Sequence, residues 1–401
     1  MLDSFKETQN RRNTRSVKWD AMEQVYDLQD ASDILPMWIA DMDFPAPEPV
    51  LKAMKNRLEH PVFGYSFVCD DCKTAVRDWQ LKRNNWNIEK QWLHFHQGII
   101  PAIAAIIETF TEKHDKILVT PPVYPPFFLL SQNQGREVIY SELIERAGDY
   151  AMDFEDFEQK LQDASVFILC NPHNPGGRVW TESELKEIIR LCSKYDVLII
   201  SDEIHGDLIF EPNRHVPLAK IAGDEKDRII TCLAPTKTFN LAGIQIAMTV
   251  TSDYEKCVKL DQYALAHGTG ALNSFASVAL KAAYEECEPW LEQLLILLDN
   301  NMEFAIKELT SNVQGLRITK PQSTYLLWID YRELGWSEHD VMEKLLVHGN
   351  VALEPGSKYG EAGIGFLRLN AACPQKTLEE GIKRIIQAFS LCVKEKESIS
   401  L

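Results

Sequence analysis

Four short apolar runs each end in a residue able to do chemistry. VFILC (166–170) leads into NPHNPGG, VLIIS (197–201) into DEIH, RIITCLA (228–234) into PTKTFN and KILVT (116–120) into PPVYPPF. In parallel α/β sheets functional side chains sit at the carboxyl ends of strands, so this pattern brings Asn171, Asp202, Lys237 and Tyr124 to one rim. Taken singly, each has an ordinary explanation. An asparagine before proline forms turns, an aspartate caps helices, most lysines are solvated, and a tyrosine serves the core.

Together the four meet the needs of one cofactor. Pyridoxal phosphate requires a lysine that condenses with its aldehyde and a carboxylate that keeps the pyridine nitrogen protonated. Lys237 and Asp202 suit those roles, Asn171 suits a donor to the phenolic oxygen, and Tyr124 suits an aromatic face over the ring. The phosphate needs local donors. HQGIIPAIAAIIETF (96–110) places a glycine before a helix, so the amides of Gly98, Ile99 and Ile100 can face an anion, and Thr236 and Thr238 flank the lysine.

The elements that must position these residues are legible as a rhythm. From about 100 to 250, β-branched runs alternate with helical periodicity, including EVIYSEL (137–143) and IAMTV (246–250). TESELKEIIRLCSKY (181–195) opens with Thr181 and Glu184, a capping-box start, with Ile188, Ile189 and Cys192 on its apolar side. Near-continuous apolar strands between helices predict a largely parallel sheet covered on both faces. Residues 46–60 read as a helix with Val50, Leu51, Met54 and Leu58 on one face, and 271–310 as a long helix interrupted near Pro289. LRIT (316–319), TYLLWID (324–330), a helix over 337–349, GFLRLN (365–370) and a closing helix over 376–396 predict a smaller α+β unit. The expected organisation is a large domain over 46–290 and a discontinuous small domain from 1–45 and 291–401.

A chain of 401 residues with 45% hydrophobic and 25% charged residues has material for a large core. Its net charge of −17 repels phosphate backbones and anionic lipid, which argues against nucleic-acid and membrane partners while leaving room for a small local anion site. Nine scattered cysteines make no disulfide framework and suit a reducing cytoplasm. The opening MLDSFKETQNRR has no apolar core, and no apolar run approaches the ~20 residues of a bilayer span.

The chain resembles the fold-type I, aminotransferase-like pyridoxal-phosphate enzymes, and within them the cystathionine β-lyase and cysteine-S-conjugate β-lyase (C–S lyase) branch. The resemblance rests on TRSVKWD (14–20), PMWIADMDFP (36–45), FGYS (63–66), QGIIPA (97–102), PPVYPPF (121–127), CNPHNPGGRVW (170–180), SDEIHGDL (201–208), APTKTFNLAG (234–243) and FLRLNAACP (366–374). It implies that Lys237 carries the cofactor and removes the substrate α-proton, that Asp202 pairs with the pyridine nitrogen, and that Tyr124 covers the ring. It also implies that Asn171 meets the phenolic oxygen at the edge of the substrate site and that Arg368 clamps the substrate α-carboxylate. Trp38 would build a wall at the entrance, and Tyr65 would reach the neighbouring subunit's cofactor phosphate in a homodimer.

Two departures favour elimination over transamination. Typical aminotransferases carry a tyrosine three positions after the aspartate and an arginine eight after the lysine; here these are His205 and Gln245. His205 is expected close to the cofactor. The expected reaction is β-elimination from L-cystathionine and related thioether amino acids, giving a thiol, pyruvate and ammonia. The alternatives are an aminotransferase and a cofactor-binding regulatory protein. Cys69 and Cys72, alone as CDDC, and the alternating His94 and His96 lack the further ligands of a metal site.

Overall fold

The computed structural model describes residues 2–146 and 148–399. Cys392 lies outside the residues whose side chains are described. Seven strands form the main sheet: β1 (Leu93–His96), β2 (Lys116–Val119), β3 (Glu137–Tyr140), β4 (Val166–Cys170), β5 (Leu198–Asp202), β6 (Ile229–Leu233) and β7 (Ala247–Val250). Their spatial order is β1-β7-β6-β5-β4-β2-β3. β7 alone runs antiparallel to its neighbours β1 and β6; the other pairings are parallel.

Burial on both faces explains the unbroken apolar runs. In β4, Val166, Ile168 and Cys170 join one cluster, with Ile103, Ile106 and Ile107 of helix Ile99–Phe110. Phe167 and Leu169 face the other way, toward Leu185, Ile188, Ile189 and Cys192 of helix Glu182–Lys194. Each large side chain taken fully out of water this way contributes about 1.5–3 kcal/mol. The helix over 182–194 begins as its sequence predicts: the Thr181 side chain accepts from the Glu184 N–H while Glu184 reaches back to the Thr181 N–H.

A second sheet, β8 (Arg317–Ile318), β9 (Leu326–Asp330), β10 (Glu354–Pro355) and β11 (Phe366–Asn370), is antiparallel throughout in the order β8-β9-β11-β10. It packs with helix Gln375–Ile399 through Leu378, Ile382 and Ile385. Pro289 sits at the start of helix Glu288–Asn312, which follows helix Ala276–Glu286, matching the predicted interruption. The expected helix over 337–349 is α-helical only over Glu338–Glu343 and widens to a π-helix over Lys344–His348. Helix Glu48–Glu59 forms as predicted, but its expected apolar face divides. Val50 is buried and Met54 partly so, whereas Leu51 and Leu58 are exposed.

The N-terminal segment joins the second sheet's side of the molecule. Leu35–Pro36 pairs in parallel with Val351–Ala352. Its anchor is a buried ion pair: Lys18 Nζ lies 2.7 Å from Asp43, which also accepts from Arg11 at 2.7 Å and from the Trp19 indole at 2.9 Å. Burial alone raises a carboxyl pKa, but Lys18, Trp19 and Arg11 outweigh it and hold Asp43 below the ordinary value of 3.8. Its stabilising share is therefore present above that value and is lost as the pH falls through the lowered one. Lys18→Met should destabilise the fold by about 3 kcal/mol, because it leaves a buried carboxylate with one cation fewer. The shift in urea midpoint measures this; a change under about 0.5 kcal/mol would remove the pair from the list of anchors.

Candidate active site

The carboxyl edges of β2, β4, β5 and β6 open onto one cavity of about 730 Å³. Trp38, Gly98, Ile99, Ile100, Tyr124, Asp202, His205, Thr236, Lys237 and Arg368 all line it. The sheet register explains much of this. Asp202, last in β5, lies between Cys170 of β4 and Cys232 of β6, so its side chain projects from the middle of the edge. Lys237 follows β6 on the short helix Pro235–Thr238, held in place by the Thr238 hydroxyl donating to Asp207 at 2.9 Å. Gly98 precedes helix Ile99–Phe110 with φ of +143°, a conformation that L side chains rarely adopt.

The cavity contains opposed charges that burial disfavours. Burial pushes the Asp202 carboxyl up to about 7, only partly offset by the Ile204 N–H that it accepts at 3.2 Å and by Lys237. Burial, with the nearby Arg368 guanidinium, pushes the Lys237 ammonium down to about 8. The lysine donates to the Ala40 carbonyl, which also accepts from the Tyr325 hydroxyl at 2.9 Å. Burial, then Lys237 and Arg368, lower His205 to about 3, so its ring is neutral. Tyr124 is raised to about 12 by burial and then by Asp202, so it keeps its proton.

Arg368, on β11, is 3% exposed. Its Nη1 donates to Asn174 Oδ1 at 3.2 Å, its Nη2 donates to the Trp38 carbonyl at 3.0 Å, and Nη2 is ion-paired with Glu354. Trp38 is buried and donates its indole N–H to the Lys18 carbonyl at 3.1 Å, which ties this wall to the N-terminal anchor. Asp41 belongs to the same anchor, 2.6 Å from Arg11.

Asn171 is not brought into the cavity. Its backbone N–H donates to the Asp202 carbonyl at 2.9 Å and its side-chain amide donates to the Val216 carbonyl at 3.2 Å. The asparagine on the cavity wall is Asn174, three residues on in the same NPHNPGG turn. The two are alike in sequence, each preceding a proline, and only the path of the turn separates them. Glu354, Tyr359 and Gln245 also line the cavity; of these, sequence reading singled out only Gln245. Tyr65 stands apart, fully exposed on the irregular stretch after helix Glu48–Glu59. The thiols of Cys170 and Cys232 flank Asp202, and burial, reinforced by that carboxylate, raises both. His94 pairs with Asp261 at 2.8 Å and His96 with the Thr249 hydroxyl at 3.1 Å.

The family model for class I and II aminotransferases matches residues 32–385. The chain belongs to that family. Among curated relatives it is 41% identical over 389 residues to a cystathionine β-lyase, PatB, of Bacillus subtilis, covering 96% of this chain and all of that protein. Cystalysin from Treponema denticola, whose structure contains pyridoxal 5'-phosphate, is 30% identical with a TM-score of 0.93, over 96% of this chain and 98% of that one. A pyridoxal-phosphate-bound C–S lyase from Staphylococcus hominis is 30% identical with a TM-score of 0.89, over 96% and 97% of the two chains. The fold is thus the fold-type I architecture of these enzymes.

The lowered Lys237 pKa has a direct consequence. A small amine-directed reagent such as cyanate should carbamylate the cofactor-free chain at Lys237 with a half-maximal rate near pH 8, well below the ordinary lysine value of 10.5. Peptide mass spectrometry against pH reads this out, and a Lys237 profile indistinguishable from that of surface lysines would contradict the lowered pKa of this amine.

Proposed function

We propose that this chain is a pyridoxal-phosphate-dependent carbon–sulfur β-lyase acting on L-cystathionine and other cysteine S-conjugates. The observation that carries the reading is the joint presence of Lys237, Asp202 and Arg368 in one buried cavity of a chain related end to end to cystathionine β-lyases. The cavity suits the cofactor. A buried carboxyl raised to about 7 gains by facing a protonated pyridine nitrogen, and a lysine lowered to about 8 has a neutral amine available for an aldehyde. His205 Nδ1 is buried without a partner at the same wall, and the N-terminus of helix Ile99–Phe110 with Thr236 offers donors to a phosphate.

When bound, pyridoxal phosphate supplies an aldehyde for amines and a ring that withdraws electrons from the substrate α-carbon. The chain's own groups then divide the work. Asp202 would hold the proton at the pyridine nitrogen, Tyr124 and His205 would help hold the ring, and Asn174 would take the donor role expected of Asn171. Arg368 orients the substrate through its α-carboxylate, a task suited to a planar fork. Lys237 takes the α-proton. When the β-carbon carries sulfur, the C–S bond breaks with its electron pair going to sulfur. Water then completes the conversion to thiol, pyruvate and ammonia.

The proposed partner is a second copy of this chain. Leu51, Leu58, Val62, Phe63, Tyr65 and Phe67 lie exposed within 17 residues of sequence, an apolar concentration that solvent disfavours on a monomer. Across such an interface Tyr65 serves the neighbour's phosphate site. The two-domain division, 46–290 and 1–45 with 291–401, is supported by the pairing of Leu35–Pro36 with Val351–Ala352, with helix Glu288–Asn312 as the joint. No helix among the described residues is long and apolar enough to cross a membrane; the acidic composition and the free cysteines suit a cytoplasmic setting.

L-Cystathionine mixed with the holoenzyme should yield pyruvate and free thiol in equal amounts, and Lys237→Ala should abolish both, since the general acid–base contribution alone is ~10²–10⁴-fold. Absence of pyruvate, with an amino acid alone converting the cofactor to its pyridoxamine form, would establish the aminotransferase instead. For the dimer, Tyr65→Ala and Lys237→Ala chains, each poorly active alone, should recover activity when refolded together, because mixed dimers hold one intact site. A monomeric sedimentation profile would refute the shared site.

A further inference from the structure

The clamp for the substrate carboxylate already holds a carboxylate of this chain. Arg368 is buried, its Nη2 ion-paired with Glu354 and its Nε without any acceptor. A carboxylate bound bidentately needs two neighbouring donors of a guanidinium edge, and Nε and Nη2 are such a pair. On that edge Nε has no acceptor, while Nη2 is shared between Glu354 and the Trp38 carbonyl. Glu354 has two more partners on the same wall: the Tyr359 hydroxyl donates to its Oε2 at 2.7 Å, and Lys358 Nζ lies 3.6 Å from its Oε1. These keep the carboxylate paired when Arg368 releases it, which avoids stranding a charge in a desolvated site.

Resting on Arg368 as the substrate clamp, we propose that Glu354 is a built-in placeholder for the substrate's α-carboxylate. It occupies half of the clamp until the substrate displaces it toward Lys358 and Tyr359, and so sets both the affinity and the charge selectivity of the cavity. Displacement leaves Glu354 beside the bound substrate. Amino acids whose side chain adds no net negative charge are accepted, including thioethers ending in a zwitterion. Those ending in a second unpaired carboxylate are repelled.

The holoenzyme tests this directly. An internal ligand holding the clamp in about 80% of molecules raises the apparent dissociation constant about fivefold. Glu354→Gln should therefore lower KM for S-methyl-L-cysteine about fivefold, with KM moving more than kcat, and should strengthen competitive inhibition by L-aspartate by a larger factor. Glu354→Asp, still charged but one methylene shorter, should lower KM in the same direction and serves if the neutral variant does not fold. Arg368→Lys separates the two readings. If it raises KM at least ~10-fold while Glu354→Gln leaves KM unchanged or higher, the clamp stands and the placeholder is overturned. If Arg368→Lys leaves KM unchanged, the clamp reading fails and the placeholder fails with it.

Discussion

Everything in this cavity depends on a buried aspartate and a half-buried lysine held on one sheet edge. Burial disfavours the charged form of each, and their mutual attraction offsets only part of that cost. The result is a carboxyl pushed up to about 7 and an amine pushed down to about 8, so the charged form of each is only weakly favoured near neutral pH. The sheet imposes this arrangement. Asp202 ends a strand buried on both faces, and Lys237 sits one short turn beyond the next strand, so the sheet edge fixes where both side chains start.

The N-terminal segment supplies the opposite wall, and it does so mainly with backbone carbonyls. Trp38 accepts from Arg368, Ile39 and Asp41 from Asn370, Ala40 from Lys237 and Tyr325, and Met42 and Phe44 from Asn240. A stretch with few elements of its own must find partners for its buried peptide groups elsewhere, and here those partners are two side chains of the site, Arg368 and Lys237, with Tyr325, Asn240 and Asn370 beside it. The buried Lys18–Asp43 pair anchors the stretch from behind. Fold stability and site geometry are thus carried by one set of bonds.

Much of this was legible in the residues. The strands over 116–119, 166–170 and 229–233 declare themselves as unbroken apolar runs because both their faces are covered, and the capping box at Thr181 is a local signal that needs no tertiary context. Asn171 and Asn174 were not separable, because each is an asparagine before a proline and the direction of a turn is not a property of residue type. Leu51 and Leu58 follow helical spacing with Val50 and Met54, yet only Val50 and Met54 meet the core; periodicity reports that a face is apolar, not what covers it. Glu354 gave no signal at all. It reaches Arg368 only because β10 and β11 are paired, opposing the two residues in the register.

By itself, then, the sequence determined which chemistry is possible: a lysine, a carboxylate, an arginine and a glycine-led helix at the ends of strands of an α/β sheet, in a family whose motifs recur along the chain. That follows because strand patterning, caps and motifs are local, written in neighbours a few positions apart. The tertiary structure alone decided which asparagine faces the cavity, what the lysine and the arginine touch, and how far burial moves their protons. Those outcomes depend on groups far away in sequence, such as Ala40 beside Lys237, 197 positions off, and Trp38 beside Arg368, 330 positions off, whose proximity only the folded chain creates.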